Sequence, residues 1–232
     1  MAKYNMPENI EYILNVTGAK QLTYIGHSQG TEMAFERLSE DAELNKKINL
    51  FVALAPVAMV GDIIGPVRLL VPYAKNIEAF FDKFGIHEFL PNTEINQWLA
   101  KDFCNDKIME FVCANLMFLL GGFDIKETNV SVNSGLFQKF DYGSEKENMR
   151  HYNQTVPPLY DVRKIETPIA LFTGPEDWLS DPTDVNKLRP LLKNVIYDKD
   201  IPGWNHLDFI WGMNAPQACY NDIIHLIRRI QQ

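Results

Sequence analysis

Leu22-Thr23-Tyr24-Ile25-Gly26-His27-Ser28-Gln29-Gly30 joins a short apolar run to a Gly-x-Ser-x-Gly turn. Beyond the turn, Thr31, Ala34, Phe35 and Leu38 recur at helical spacing on one face. Strand, glycine-bounded serine and amphipathic helix together fit the nucleophile-elbow pattern, in which a sharp turn exposes a serine hydroxyl and the glycines relieve crowding. The N–H of Gln29 then lies where a developing oxyanion would form. An ordinary glycine-rich strand–helix turn is the alternative reading of the same residues.

Outward from this turn, Ile10, Ile13, Leu14 and Thr17 mark an earlier helix, with Pro7 in its first turn and Gly18 at its stop. A second strand spans Leu50 to Leu54 and ends at Ala55-Pro56. Continuous apolar strands predict burial on both faces, as in a parallel sheet. From Ala58 to Pro168 the chain turns aromatic and irregular, with Phe80, Phe81, Phe84, Phe89, Trp98, Phe103, Phe111 and Phe118. Alternation resumes with strands Ile169 to Phe172 and Asn194 to Tyr197, and with a final helix carrying Tyr220, Ile223, Ile224 and Ile227 on one stripe. The expected organisation is an α/β core formed by residues 1–57 and 169–232, interrupted by a helical insertion over 58–168.

Composition narrows the function classes. The 232 residues are 46% hydrophobic and 22% charged, which excludes a disordered or coiled-coil chain. A net charge of −8 argues against nucleic-acid binding, which needs clustered Lys and Arg. No apolar run approaches the roughly 18 residues of a membrane span. The opening Met1-Ala2-Lys3-Tyr4-Asn5-Met6-Pro7-Glu8 shows no signal-peptide pattern, which taken literally predicts a cytosolic location. Glycosylation sequons at Asn15, Asn129 and Asn153 point the other way.

A serine nucleophile needs a base, and the base needs an orienting acid. In this architecture the chain order is serine, then acid, then histidine. Asp177 follows strand 169–172 in Thr173-Gly174-Pro175-Glu176-Asp177, at a strand's carboxyl end where parallel sheets bind ligands. His206 follows the next strand in Ile201-Pro202-Gly203-Trp204-Asn205-His206. Asp181 and Asp184 read equally as helix-start residues, and Asp208 stands too close to His206 in sequence to orient it. His87 and His151 fall in the insertion and His225 in the final helix. The candidate set is therefore Ser28, Asp177 and His206.

The turn Gly26–Gly30, the segment Gly174 to Asp184 and Asn205-His206-Leu207-Asp208-Phe209-Ile210-Trp211 resemble the acid lipase family, the gastric, lingual and lysosomal acid lipases and their insect relatives. Ala2-Lys3-Tyr4, Ala53-Leu54-Ala55-Pro56-Val57, Arg150-His151-Tyr152-Asn153-Gln154 and Pro157-Pro158-Leu159-Tyr160 are also similar to that family. The resemblance implies an α/β-hydrolase fold with a helical cap, and Ser28, Asp177 and His206 as its triad. It implies hydrolysis of acylglycerol or sterol esters in secretions or lysosomes, at a lipid interface and without metal or organic cofactor. Phe80, Phe81, Phe84 and Trp98 become candidates for acyl-chain contact, or cap core.

By the same resemblance Met1 aligns inside the family sequence. The expectation is that the first strands of the sheet and the loop bearing a second oxyanion donor lie upstream, which leaves the strand at Leu22 as an apolar edge. A further family stretch is absent near Val132-Asn133. The family also pairs cysteines at the positions of Cys104 and Cys113. Nine residues of straight helix span about 13.5 Å, beyond the roughly 7 Å a disulfide bridges, so such a pair requires a reversal near Asn105-Asp106. Two buried thiols are the alternative. Two further readings of the chain accompany the ester-hydrolase one: a lipase-like protein without turnover that binds lipid or a partner, and a partial sequence of an active lipase.

Overall fold

The computed structural model describes residues 1–64, 68 and 134–231. The chain divides into two compact units, Met1–Ile64 with Ser131–Gln232, and Gly65–Val130. The expected aromatic cap residues, His87, Cys104, Cys113 and Asn129 lie outside the described residues.

The first unit is built on four parallel strands, β1 (Leu22–His27), β2 (Ile48–Leu54), β3 (Ile169–Thr173) and β4 (Val195–Asp200), in that spatial order. Central β2 and β3 are buried almost throughout, as their unbroken apolar sequence requires. Their side chains alternate between two cores. Phe51, Ala53, Ile169 and Leu171 face one core with helices α1 (Asn5–Thr17) and α2 (Gln29–Glu40). Leu50, Val52, Ala170 and Phe172 face the other with Trp204, Phe209 and the last helix. Among the described residues β1 and β4 are the sheet's edges. On β1, Ile25 is half exposed. β4 alternates between half-buried and exposed positions, and polar Asp198, Lys199 and Asp200 extend it past the expected end at Tyr197. Arg189 bridges Asp198 and Asp200.

Five further α-helices occur among the described residues: α3 (Ala42–Lys47), α4 (Glu145–Tyr152), α5 (Pro182–Leu188), α6 (Asp208–Trp211) and α7 (Asn221–Ile230). The Asp41 side chain caps α3 by accepting from the Leu44 N–H. Buried Asn45 in α3 donates to the Leu38 carbonyl and accepts from the N–H groups of Glu166 and Thr167, tying α3 to the segment that enters β3. No helix among the described residues is long and apolar enough to cross a membrane.

The boundary between units differs from the expected insertion over 58–168. Residues 58–64 and 134–168 fall in the same unit as the sheet, and Ala58, Phe137, Val162 and Ile165 are buried in the core shared by α1 and α2. Asn15 and Asn153 are both exposed, Asn15 within α1 and Asn153 at the left-handed cap of α4.

Candidate active site

Ser28 sits between β1 and α2 with φ 54° and ψ −120°, a conformation costing a non-glycine residue about 1–3 kcal/mol. Four bonds hold it there, one of them from the Glu32 N–H to the Ser28 carbonyl at 3.2 Å. The Ser28 N–H donates to the Leu54 carbonyl at the end of β2. Its own carbonyl accepts from the Thr31 N–H and from the Thr31 hydroxyl at 2.6 Å. That hydroxyl in turn accepts from the Val57 N–H at 2.8 Å, so one buried threonine locks the turn to the chain leaving β2.

The two glycines contribute unequally. A β-carbon on Gly26 would lie 2.7 Å from the carbonyl carbon of Gly30, whereas one on Gly30 would meet the Tyr24 hydroxyl at an ordinary 3.7 Å. The expected relief of crowding on both sides therefore falls on Gly26.

His206 reaches the serine from the loop after β4. Its Nε2 lies 2.7 Å from the Ser28 hydroxyl, and its Nδ1 lies 2.9 and 3.0 Å from the two carboxylate oxygens of Asp177. A carboxylate only accepts, so Nδ1 carries the proton. In the neutral ring, Nε2 then accepts from the serine hydroxyl. His206 and Asp177 are 3% and 1% exposed, while Ser28 is half-buried, so the relay is more shielded at its acid end than at the serine.

Asp177 is oriented by its own loop. The N–H groups of Leu179 and Ser180 donate to one carboxylate oxygen at 2.9 and 2.8 Å, and the Ser180 hydroxyl donates to the Pro56 carbonyl. These bonds satisfy a buried charge that would otherwise be costly. Gln29, the first residue of α2, presents an N–H with no intrahelical acceptor beside Ser28.

The structure thus brings together Ser28, Asp177, His206 and Gln29. The rival acids have local duties. Asp181 caps α5 through the Thr183 N–H, and Asp208 accepts from the Asn205 N–H. Asp184 is buried and accepts from the Asp62 N–H. His151 stacks on Tyr142 at 3.6 Å, and His225 is exposed on α7. One residue went unread in the sequence. His27 is placed by its ring Nε2 2.8 Å from the His206 carbonyl oxygen, and it could have been singled out as a titratable group beside the nucleophile. Burial, with His206 nearby, holds its imidazole below the ordinary histidine value. Among the described residues no group of three or more His, Cys, Asp or Glu is arranged to hold a metal ion.

A family model of the alpha/beta hydrolase fold matches residues 1–213. The chain is 39% identical to the lysosomal acid lipase/cholesteryl ester hydrolase of Rattus norvegicus, covering 100% of this chain and 64% of that protein. It is 41% identical to the gastric triacylglycerol lipase of Homo sapiens, covering 98% of this chain and 63% of that protein. It spans less than two-thirds of the length of either relative. Among solved structures, a monoacylglycerol lipase of Paleococcus ferrophilus superposes with a TM-score of 0.51 over 96% of this chain and 74% of that one, at 16% identity.

Proposed function

The chain belongs to the α/β-hydrolase fold family, and from that premise we propose that it is a serine carboxylic-ester hydrolase acting on acylglycerol or sterol esters. The observation that carries this reading is the unbroken relay Ser28 Oγ, His206 and Asp177 at 2.7 to 3.0 Å. The names of the similar lysosomal and gastric lipases support the substrate class and a secreted or lysosomal setting.

In this reading the Ser28 oxygen attacks the ester carbonyl while Nε2 of His206 takes the hydroxyl proton. Asp177 keeps the proton on Nδ1 and stabilises the imidazolium that forms. Negative charge gathers on the former carbonyl oxygen, and the Gln29 N–H donates to it. Collapse of the tetrahedral species expels the alcohol, which takes the proton from His206, and leaves an acyl group on Ser28. Water then repeats the sequence with the same proton transfers and releases the acid. The strained serine supports turnover over binding alone, since a lipid-binding surface gains nothing from holding a hydroxyl in a costly conformation against a buried base.

The test is hydrolysis of p-nitrophenyl butyrate, a triacylglycerol and a cholesteryl ester by the full chain and by Ser28→Ala. Serine-dependent release of acid from at least one lipid ester is expected. Equal release by the alanine variant would remove the reading.

A further inference from the structure

Two consecutive residues of the nucleophile turn grip the same histidine. Ser28 bonds the ring of His206, and the preceding His27 bonds its backbone. The His27 Nε2 stands 2.8 Å from the His206 carbonyl oxygen. A carbonyl only accepts, so Nε2 of His27 bears the proton and donates. The rings of His27 and His206 lie side by side with centroids 4.8 Å apart, and Phe209 flanks His27 at 6.2 Å.

The supporting backbone is anchored at both ends. His27 is the last residue of β1, paired with Leu54 of β2, and the next N–H bonds the Leu54 carbonyl. The loop that carries His206 is tied to β3 through the Ile201 N–H and the Thr173 carbonyl, and to itself through Asn205 and Asp208. These ties fix the loop against the acid side of the site. The His27 bond references it to the strand from which the nucleophile emerges. We propose that His27 is a positioning residue, donating a hydrogen bond that sets the His206 main chain so that one imidazole meets Ser28 and Asp177 together.

Burial and the neighbouring His206 hold the His27 imidazole below its ordinary value, and Nε2 donates to the carbonyl in either protonation state. The inference rests on the ester-hydrolase reading for its kinetic consequence and on geometry alone for its structural one. A misplacement of about 1 Å at a reacting group costs on the order of 100-fold in rate.

The experiment compares His27→Phe, His27→Gln and His27→Asn in the full chain. Phenylalanine keeps a ring without a donor, glutamine reaches the carbonyl with an amide N–H, and asparagine falls short. Expected for His27→Phe is a kcat on p-nitrophenyl butyrate lower by roughly 10- to 100-fold, with KM within twofold and an unchanged melting temperature. Glutamine should recover most of the loss and asparagine little. If phenylalanine fails to fold, the glutamine–asparagine contrast decides. Wild-type kcat in His27→Phe, or equal kcat in glutamine and asparagine, would overturn the inference. A second readout separates it from the catalytic reading: the downfield NMR proton of His206 Nδ1, which reports the bond to Asp177. Its loss or marked upfield shift in the variant lacking a donor supports the positioning role even if Ser28→Ala proves as active as wild type. An unaltered resonance would refute that role.

Discussion

A β-carbon on Gly174 would lie 2.8 Å from the carbonyl carbon of Trp204. Gly174 begins the loop that carries Asp177, and Trp204 stands two residues before His206, so the two loops touch backbone to backbone. The Glu176 N–H donates to the same Trp204 carbonyl at 3.0 Å. Gly174→Ala must push these loops apart, and strain of this kind typically costs 1–3 kcal/mol. A lower melting temperature is expected together with a kcat/KM reduced by more than tenfold. Full activity in the alanine variant would show that the loops yield without disturbing the relay.

The turn glycines should separate in the same way. Gly26→Ala drives a methyl group into the Gly30 backbone and should destabilise the fold by about 1–3 kcal/mol. Gly30→Ala has room and lies in the first turn of α2, where the substitution should be neutral or stabilising by about 0.4–1 kcal/mol. Urea denaturation of the two variants reads the difference directly.

Removing the orienting charge isolates the contribution of Asp177. Asp177→Asn should preserve the fold while lowering kcat by about 10⁴-fold, because the amide no longer holds the proton on Nδ1 of His206. His206→Ala should cost several orders of magnitude, and His225→Ala almost nothing. Steady-state kinetics on a soluble ester distinguishes the three.

Asp184 gives the fold a pH signature. Its side chain is 2% exposed and beside Asp62, with Lys187 bridging the two carboxylates. Burial raises its carboxyl above the ordinary Asp value. Protons are thus bound more tightly by the folded state, so stability from this group falls as pH rises through the folded value and is restored below the unfolded one. The melting temperature of Asp184→Asn relative to wild type should therefore be higher at neutral pH than near about pH 4. A difference independent of pH would contradict that sign.

The elbow, β2 and β3 were legible because each is a local pattern: a glycine-bounded serine, and apolar runs buried on both faces. The relay of Ser28, Asp177 and His206 was readable from chain order, since each residue follows a parallel strand. Other features depend on partners distant in sequence. The place of residues 134–168 beside the sheet rests on a few apolar anchors, Phe137, Val162 and Ile165, within an otherwise polar stretch whose helix α4 has little apolar face. α3 is six residues long and held by Asp41 and Asn45, too short to show a period. His27 gains its meaning from a carbonyl 179 residues away, which no spacing along the chain reveals.

The central claim is that Ser28 is an activated nucleophile. A fluorophosphonate reacts with such a serine and leaves a stable covalent phosphonate, located by peptide mapping and mass spectrometry. The account predicts one adduct per chain, on Ser28, abolished by Ser28→Ala and strongly slowed by His206→Ala. Adduct formation at another residue, or undiminished labelling of the Ser28→Ala chain, would contradict it.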